Sequence, residues 1–214
     1  MRITKEHDER RNEILSKALF LFETIGYNKT TINDILREVN IAKGTFYYYF
    51  KSKEEVLDAV IDRYMEVGLE RAQAVKERKD LPPVEKLLQV FLALNMGGPD
   101  NKVIEELHNP ENALMHQKSL TQMVLGLTPV LVEIVEEGIT AGVFHTEFPK
   151  QTIQIILTAS ATLLDQGIFS FSEQEQFELL QAIIHSLETL LGAKKGSFAY
   201  GIQAFMTQEQ STGK

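Results

Sequence analysis

Apolar side chains recur every three or four positions along nearly the whole chain, which predicts an all-helical protein without strands. In the first predicted helix Ile14, Ala18 and Phe22 share one face, and Gly26 follows where a left-handed residue often ends a helix. This pattern indicates an all-α fold. Further helices are predicted from 52 to about 79 and over 83–96, 102–107, 110–116, 119–141, 150–169 and 173–192.

Two short helices are predicted close together after the first one. The stretch "TTINDILREV" has Thr31 as a candidate N-cap and Asp34 three residues later, which is typical of a capping box. The second short helix is predicted to begin near Ala42 or Lys43, and Ser52 is the candidate N-cap of the helix after it. Such a pair, preceded by a longer helix, indicates a helix-turn-helix whose second helix enters the major groove of DNA.

An aromatic run, "FYYYF", makes up most of the second short helix. Phe46 and Phe50 are four positions apart, so they share a face and are predicted to anchor the helix in the core. Tyr47, Tyr48 and Tyr49 sweep round the remaining surface, and three consecutive tyrosines on so short a helix cannot all be buried. Tyrosine rings can contact sugars while their hydroxyls bind phosphates. The alternative is that the whole run serves only for packing.

The residues around the aromatic run suit a DNA interface. Gly44 lacks a Cβ and would let the backbone approach a phosphate or a base edge, although it could equally provide spacing in a tight turn. Thr45 can donate a hydrogen bond to a base or a phosphate. Lys43, Lys51 and Lys53 place positive charge at both ends of the helix, where the two DNA backbones would lie.

The charge of the chain is unevenly distributed. The 214 residues carry a net charge of −8, but residues 1–53 carry +3 and residues 54–214 carry −11. The local charge sets the electric field at a binding face, so a mildly basic N-terminal part is compatible with nucleic-acid binding despite the acidic total.

Several classes of protein are disfavoured by what the sequence lacks. It has no cysteine, which excludes disulfides, thiolate catalysis and cysteine metal sites. The charged N-terminus has no apolar signal segment, and no apolar stretch approaches the ~20 residues of a membrane helix. We therefore expect a cytoplasmic protein without membrane association. An enzyme is disfavoured because no clustered His/Asp/Ser set, Gly-rich phosphate loop or paired carboxylates are found in the sequence.

The segment "TTINDILREVNIAKGTFYYYFKSKEEVLDAV", with "FETIGYNKTT" at its start, resembles the DNA-binding domain of the TetR family of bacterial transcriptional regulators over about residues 8–65. Tyr49 stands where the family often has histidine, which leaves the operator sequence open. Ile41 and Ala42 are apolar where relatives often have small polar residues, so fewer phosphate contacts are expected from that turn. The resemblance implies DNA contacts at Thr31, Lys43, Gly44, Thr45, Tyr47, Tyr48, Tyr49 and Lys53.

The resemblance also implies a second helical domain that forms dimers and holds a small-molecule ligand. The expected boundaries are 1–53 for the helix-turn-helix domain, 54–193 for the second domain and 194–214 for a tail that is poorly ordered or docked. The last two predicted helices are the dimer candidates, since "TASATLL" allows close approach and "FELLQAIIHSLETLL" is apolar on more than one side. The alternative is that they form an intrachain core. The candidate dimer residues are Thr158, Ala161, Thr162, Phe177, Leu180, Ile184, Leu187 and Leu191.

Candidate ligand contacts are polar groups among apolar helix faces, together with methionines that suit an adaptable cavity. His108 and His116, with glutamates nearby, could suggest a metal ion, but the Asn109-Pro110 break puts His108 outside the helix that carries His116. We therefore expect no metal and no cofactor, and a capping and packing role for this segment. The candidate ligand residues are Asn95, Met96, Met115, His116, Gln122, Met123, Thr158 and Asp165.

Together these expectations describe a homodimeric regulator of a near-palindromic double-stranded operator, with two recognition helices ~34–36 Å apart. One hypothesis is a repressor that a small apolar or amphipathic ligand releases from DNA. The other is a regulator of the same fold without a small-molecule effector, either constitutive or gated by a protein partner. Repression rather than activation follows from the family resemblance alone.

Overall fold

The computed structural model describes residues 2–93 and 102–199, and over these residues it contains nine α-helices, one 3-10 helix and no strand. This confirms the all-α prediction. Within the described residues, no helix is long and apolar enough to cross a membrane. The helices are α1 (Arg2–Ile25), α2 (Ile32–Val39), α3 (Lys43–Tyr49), α4 (Lys53–Lys76), α5 (Pro83–Ala93), α6 (Lys102–Leu107), the 3-10 helix (Pro110–Asn112), α7 (Ala113–Thr140), α8 (Pro149–Leu163) and α9 (Glu173–Leu190).

The predicted ends of the first helices are confirmed. Thr31 and Asp34 form a capping box at the start of α2, in which the Thr31 hydroxyl accepts from the Asp34 N–H and the Asp34 carboxylate accepts from the Thr31 N–H. Gly26 follows α1 with a φ of 90°, and Asn40 ends α2 with a φ of 57°. Ser52 caps α4, because its hydroxyl accepts a backbone N–H of the first turn. Local sequence therefore determines these boundaries.

One hydrophobic core lies inside α1, α2, α3 and the N-terminal half of α4, which together form the head of the molecule. Its largest buried side chains include Phe22, Phe46 and Phe50. Val103 and Leu107 of α6 belong to the same core, although α6 follows α5 in the chain. The head is therefore completed by a helix that lies outside the expected boundary of the DNA-binding domain.

A second core lies between the C-terminal half of α4 and helices α5, α7, α8 and α9. Leu131 of α7 and Ile153 of α8 are fully buried there. Lys118 of α7 forms an ion pair with Asp58 of α4 at 2.8 Å, which links the second domain to the helix that continues from the head. We call this part the body.

The long helix α7 differs from the sequence prediction. The separate helices predicted over 110–116 and 119–141 are one α-helix, preceded by a 3-10 helix that the Asn109 side chain caps. Gln117 and Lys118, at the predicted break, are good helix formers, so nothing in the backbone interrupts the helix there.

Helix α8 is shorter than predicted. It ends at Leu163 rather than near 169, because the Asp165 carboxylate accepts a hydrogen bond from the Gly167 N–H at 2.8 Å and folds the chain into a turn. Residues 164–169 were therefore predicted to be helical but form this turn and the segment after it.

The start of the expected tail packs on the body. Phe198 is fully buried, its ring is stacked on Phe144 with the centroids 6.2 Å apart, and its N–H donates to the Glu188 carboxylate. Residues 194–199 therefore extend the body core, while 200–214 lie outside the described residues.

Candidate nucleic-acid interface and second-domain site

Helix α3 is anchored in the head by Phe46 and by Phe50, the residue that directly follows the helix. Phe46 and Phe50 are 0% and 1% exposed, and their ring centroids are 6.1 Å apart. The guanidinium of Arg11 in α1 lies 5.1 Å from the centre of the Phe50 ring. The inward orientation predicted for both phenylalanines is confirmed.

The three tyrosines of α3 differ in exposure. Tyr47 is 45% and Tyr48 is 72% exposed, whereas Tyr49 is half-buried and packs against the head core. The His7 ring of α1 lies 4.7 Å from the Tyr49 ring and 5.5 Å from the Tyr48 ring. Tyr48 is therefore the tyrosine most open to a partner, and the run does not serve for packing alone.

Gly44 lies in the first turn of α3 and not in a tight turn. A Cβ at this position would meet no atom within 4 Å, and Gly44 is not among the residues with positive φ. Glycine costs a helix ~0.5–1 kcal/mol relative to alanine. Nothing in the described part of the chain requires glycine here, so a role for Gly44 at DNA stays a prediction.

Lys43 and Lys53 flank α3 in different environments. Lys43 is exposed, with its Nζ 5.8 Å from the centre of the Tyr47 ring. Lys53 donates to the main-chain oxygens of Tyr27 at 2.9 Å and Thr30 at 3.0 Å, which closes the connection between α1 and α2. Lys43 is thus accessible to a phosphate. Lys53 stabilises the connection between α1 and α2, whether or not it also contacts DNA.

The two threonines among the expected DNA contacts lie at helix starts. Thr31 is exposed, and its hydroxyl donates to the Asp34 carboxylate at 2.6 Å. These hydrogen bonds from Thr31 hold the pKa of Asp34 below its usual range. Thr45 is half-buried in the first turn of α3. DNA contacts at the eight expected positions stay predictions.

Three polar side chains meet where the end of α6 approaches α7 and the turn after α8, and we call them the His–His–Asp cluster. His108 follows α6, His116 lies in the first turn of α7, and Asp165 lies in the turn after α8. His116 Nε2 is 2.8 Å from Asp165 Oδ2, and His108 Nε2 is 3.4 Å from Asp165 Oδ1. His108 is outside the helix of His116, as expected, yet tertiary packing assembles the compact set that the sequence spacing did not show.

The other candidate ligand residues are scattered. Met115 packs against the head core and Met123 against the body core. Gln122 and Thr158 are exposed, on α7 and α8 respectively. The described candidates therefore do not share one lining, apart from the direct contact within the His–His–Asp cluster. Two candidates lie outside the described residues, Asn95 and Met96.

Sequence reasoning missed two residues of the body. A Cβ on Gly167 would lie 2.4 Å from Cδ2 of His108, so the absence of a side chain lets His108 reach Asp165. Ser160 Oγ is buried and has no hydrogen-bond partner within the described part of the chain. The sequence "DQG" is compatible with a turn, although the helix was predicted to run through it to residue 169. The small side chains of "TASATLL" were interpreted only as allowing close approach, which did not single out Ser160.

The candidate dimer residues differ in how much of their surface is exposed in the single chain. Leu187 and Leu191 are 3% and 0% exposed in the single chain, and both belong to the body core. Side chains that are already covered have no surface left to bury against a second chain. Leu180, 9% exposed, has little surface left as well. Dimer contacts at the eight candidate positions stay predictions. The candidates that retain surface are Thr158, Ala161, Thr162, Phe177 and Ile184.

Two family models match the chain. Residues 14–60, from α1 to α4, match the model described as "Bacterial regulatory proteins, tetR family". Residues 98–184 match the model described as "Tetracyclin repressor-like, C-terminal domain". The first match contains the whole of α3, and the second contains the His–His–Asp cluster.

Individual proteins are similar over different lengths. The chain is 38% identical over 74 residues to "Uncharacterized HTH-type transcriptional regulator YuxN" of Bacillus subtilis, covering 35% of this chain but only 25% of YuxN. It is 27% identical over 158 residues to "Probable HTH-type transcriptional regulator ArpR" of Pseudomonas putida, covering 68% of this chain and 75% of ArpR. Among solved structures, RolR in complex with resorcinol matches with a TM-score of 0.62 at 18% identity, covering 94% of both chains. At that identity the likeness to RolR shows the fold alone.

Proposed function

Since the chain belongs to the TetR family of bacterial transcriptional regulators, we propose that it is a homodimeric cytoplasmic repressor without catalytic activity. It binds a near-palindromic double-stranded operator and is released by a small apolar or amphipathic ligand. The observation that carries the DNA-binding part is the division of α3 into two buried phenylalanines and an exposed side with Tyr47, Tyr48, Lys43 and Gly44.

The dimensions of α3 fit one major groove. Its seven residues span ~10 Å at 1.5 Å per residue. Tyr48 offers a ring to sugars or thymine methyl groups and a hydroxyl to phosphate. Lys43 neutralises a phosphate at the start of the helix, and Gly44 lets the backbone come close to the DNA.

A second copy of the chain covers the outer faces of α8 and α9 in this proposal. Ile155 of α8 is 57% exposed and Leu190 of α9 is 40% exposed. Helix α9 packs chiefly against α8, so a helix that is apolar on more than one side keeps an uncovered face. A two-fold axis through this face would present two copies of α3, which operator binding requires to lie ~34–36 Å apart, the spacing of successive turns of the major groove.

Release requires a ligand that binds more tightly to a state in which the two α3 helices do not match that spacing. Helix α6 connects the two parts of the chain that must move together. Val103 and Leu107 lie in the head core, and Glu106 accepts a hydrogen bond from Asn28 of the head at 3.1 Å. A displacement of α6 by a ligand in the body therefore displaces the head.

Footprinting on the DNA that flanks the protein's own gene tests the operator proposal. We expect a protected near-palindrome with half-sites ~10–10.5 base pairs apart or a multiple of this. Fluorescence anisotropy at ~150 mM salt should then show at least ~10³-fold preference for this site over a scrambled duplex. Equal affinity for both duplexes would contradict the proposal.

Sedimentation equilibrium tests the dimer. Ile155→Asp places a charge on the exposed face of α8 and should shift the protein towards monomer. Leu125→Asp is the matched control, because Leu125 is 64% exposed on α7 and should leave the dimer intact. A wild-type protein that stays monomeric at micromolar concentration would contradict this part.

A further inference from the structure

The His–His–Asp cluster joins three separate segments of the chain, namely the end of α6, the start of α7 and the turn after α8. The nearest ligand atoms of His108, His116 and Asp165 all lie within 4.8 Å of one another. We propose that this cluster binds a divalent transition-metal ion of the zinc class, with one ion per chain.

The donor atoms and their spacing suit such an ion. Two imidazole nitrogens and one carboxylate oxygen are donors that Zn²⁺ accepts, whereas Mg²⁺ and Ca²⁺ prefer oxygen ligands alone. Tetrahedral bonds of ~2.0–2.1 Å place ligand atoms ~3.3–3.4 Å apart. The 3.4 Å between His108 Nε2 and Asp165 Oδ1 matches this value. The 2.8 Å between His116 Nε2 and Asp165 Oδ2 is a hydrogen-bond distance, which a bound ion would lengthen by about 0.5 Å. Three protein ligands leave a fourth position for water or a small ligand.

The cluster is held by its surroundings. The side chains of His116 and Asp165 are 13% and 11% exposed, and that of His108 is 28% exposed. The Gly167 N–H donates to Asp165 Oδ1 at 2.8 Å and so orients the carboxylate. The ring of His108 lies where a side chain on residue 167 would otherwise be. The placement of His108 and of Asp165 thus depends on one glycine.

The position of the cluster connects it to the head, and this second part of the inference rests on the proposed function. His108 directly follows α6, whose Leu107 lies in the head core. Glu106 accepts from Asn28 of the head, and its main-chain oxygen accepts from the Asn112 side chain at 2.9 Å. An ion that fixes His108 against α7 and the turn after α8 therefore fixes the end of α6 and changes the affinity for the operator.

Metal titration of the full chain, with any purification tag removed and metal stripped by a chelator, tests the site. Zn²⁺ is titrated by calorimetry, and Co²⁺ is titrated by its visible absorption as a probe of tetrahedral coordination. We expect one ion per chain, and a loss of affinity of at least ~10–100-fold in His116→Ala and in His108→Ala.

His185→Ala is the matched control, because His185 is exposed on α9 and should leave the affinity unchanged. Circular dichroism of each variant shows whether it is folded, and His116→Gln replaces His116→Ala if the latter is not. Absence of stoichiometric binding, or binding that both cluster variants retain, would overturn the metal site and leave a hydrogen-bonded cluster.

Operator anisotropy with and without Zn²⁺ tests the connection to the head. We expect a change of at least ~5-fold in operator affinity, the lower range of allosteric coupling, that His116→Ala abolishes. Unchanged operator affinity in a protein that binds Zn²⁺ would overturn the coupling. A protein that binds Zn²⁺ but no operator would overturn the proposed function and leave the metal site in place.

Discussion

The recognition helix and the His–His–Asp cluster are built in opposite ways. Nearly all the candidate contacts around α3 lie within seven consecutive residues, and their spacing alone assigns each to the inside or the outside. The cluster brings together His116 and Asp165, which are 49 positions apart, and a third residue from beyond a helix break. A site within one helix can thus be predicted residue by residue from the sequence. A site formed by residues that are distant in sequence depends on how complete helices pack.

The same contrast applies to the two lysines beside α3. Lys43 and Lys53 look equivalent in sequence, since both are basic residues near an end of the helix. Lys43 is exposed, while Lys53 donates to two main-chain oxygens from the connection between α1 and α2. Residue type and position do not separate a DNA contact from a structural contact when the partner is distant in sequence.

The largest expected effect tests the inward side of α3. Phe50→Ala should lower the free energy of unfolding by about 3–5 kcal/mol, because the ring is 1% exposed and its removal leaves a cavity. Urea denaturation followed by circular dichroism measures the change. Tyr48→Ala, at 72% exposure, is the control and should change stability by less than about 0.5 kcal/mol. Equal stability of the two variants would show that the local assignment of α3 is wrong.

Substitutions on the outward side of α3 should change operator affinity rather than stability. Tyr48→Ala should weaken operator binding by about 1–3 kcal/mol, since it removes the most exposed ring of the helix. Anisotropy at fixed salt measures the weakening. Phe148→Ala removes another exposed ring, 62% accessible and located before α8, and should have no effect on operator affinity. Equal weakening in both variants would argue against a contact by Tyr48.

The lysine pair should separate stability from salt dependence. Lys53→Ala should cost about 1–2 kcal/mol of stability, because two main-chain oxygens are left without their charged donor. Lys43→Ala should leave stability unchanged but reduce the slope of log affinity against log salt by about 0.9 for each phosphate that is no longer neutralised. Urea denaturation and anisotropy over a salt series measure the two quantities. If Lys43→Ala lowered the stability and Lys53→Ala did not, the structural role would belong to Lys43 and not to Lys53.

Gly44→Ala should have opposite effects on folding and on binding. The free protein should gain about 0.5–1 kcal/mol, since alanine suits a helix better and the structure leaves space for its Cβ. Operator affinity should fall, because the methyl group occupies the space that DNA approaches. Thermal unfolding and anisotropy on the same samples measure both. A stabilised variant with unchanged operator affinity would leave Gly44 without a role at the DNA.

The smallest expected effect is on the stability of the protein at low pH. Hydrogen bonds from Thr31 lower the pKa of Asp34 from its usual 3.8, so the folded state favours the ionised carboxylate. This stabilisation is complete above the unfolded pKa and is lost as the pH falls below it and through the lower folded pKa. The melting temperature of the wild type should therefore fall more steeply below about pH 4 than that of Asp34→Asn. Parallel curves would show that the capping box contributes nothing through this charge.

Much of the head could be predicted from local patterns. Thr31 with Asp34, Gly26 and Ser52 marked helix ends, and the structure confirms each. The merger of two predicted helices into α7 was missed because a break was predicted at Gln117 and Lys118, where nothing in the sequence interrupts a helix. The burial of Leu187 within the single chain matches the alternative of an intrachain core, which the sequence left open because an apolar residue has the same pattern in a dimer interface and in a core.

Consecutive residues of a helix carry their relative directions in their spacing, because 3.6 residues per turn is a property of the backbone. For this reason the sequence was sufficient to assign Phe46 to the inside of α3 and Tyr48 to the outside, while Phe50, which directly follows the helix, is also buried as predicted. The meeting of His108, His116 and Asp165 depends on where α8 ends and how it lies against α7. Those relations result from the packing of a whole core, which no local spacing encodes.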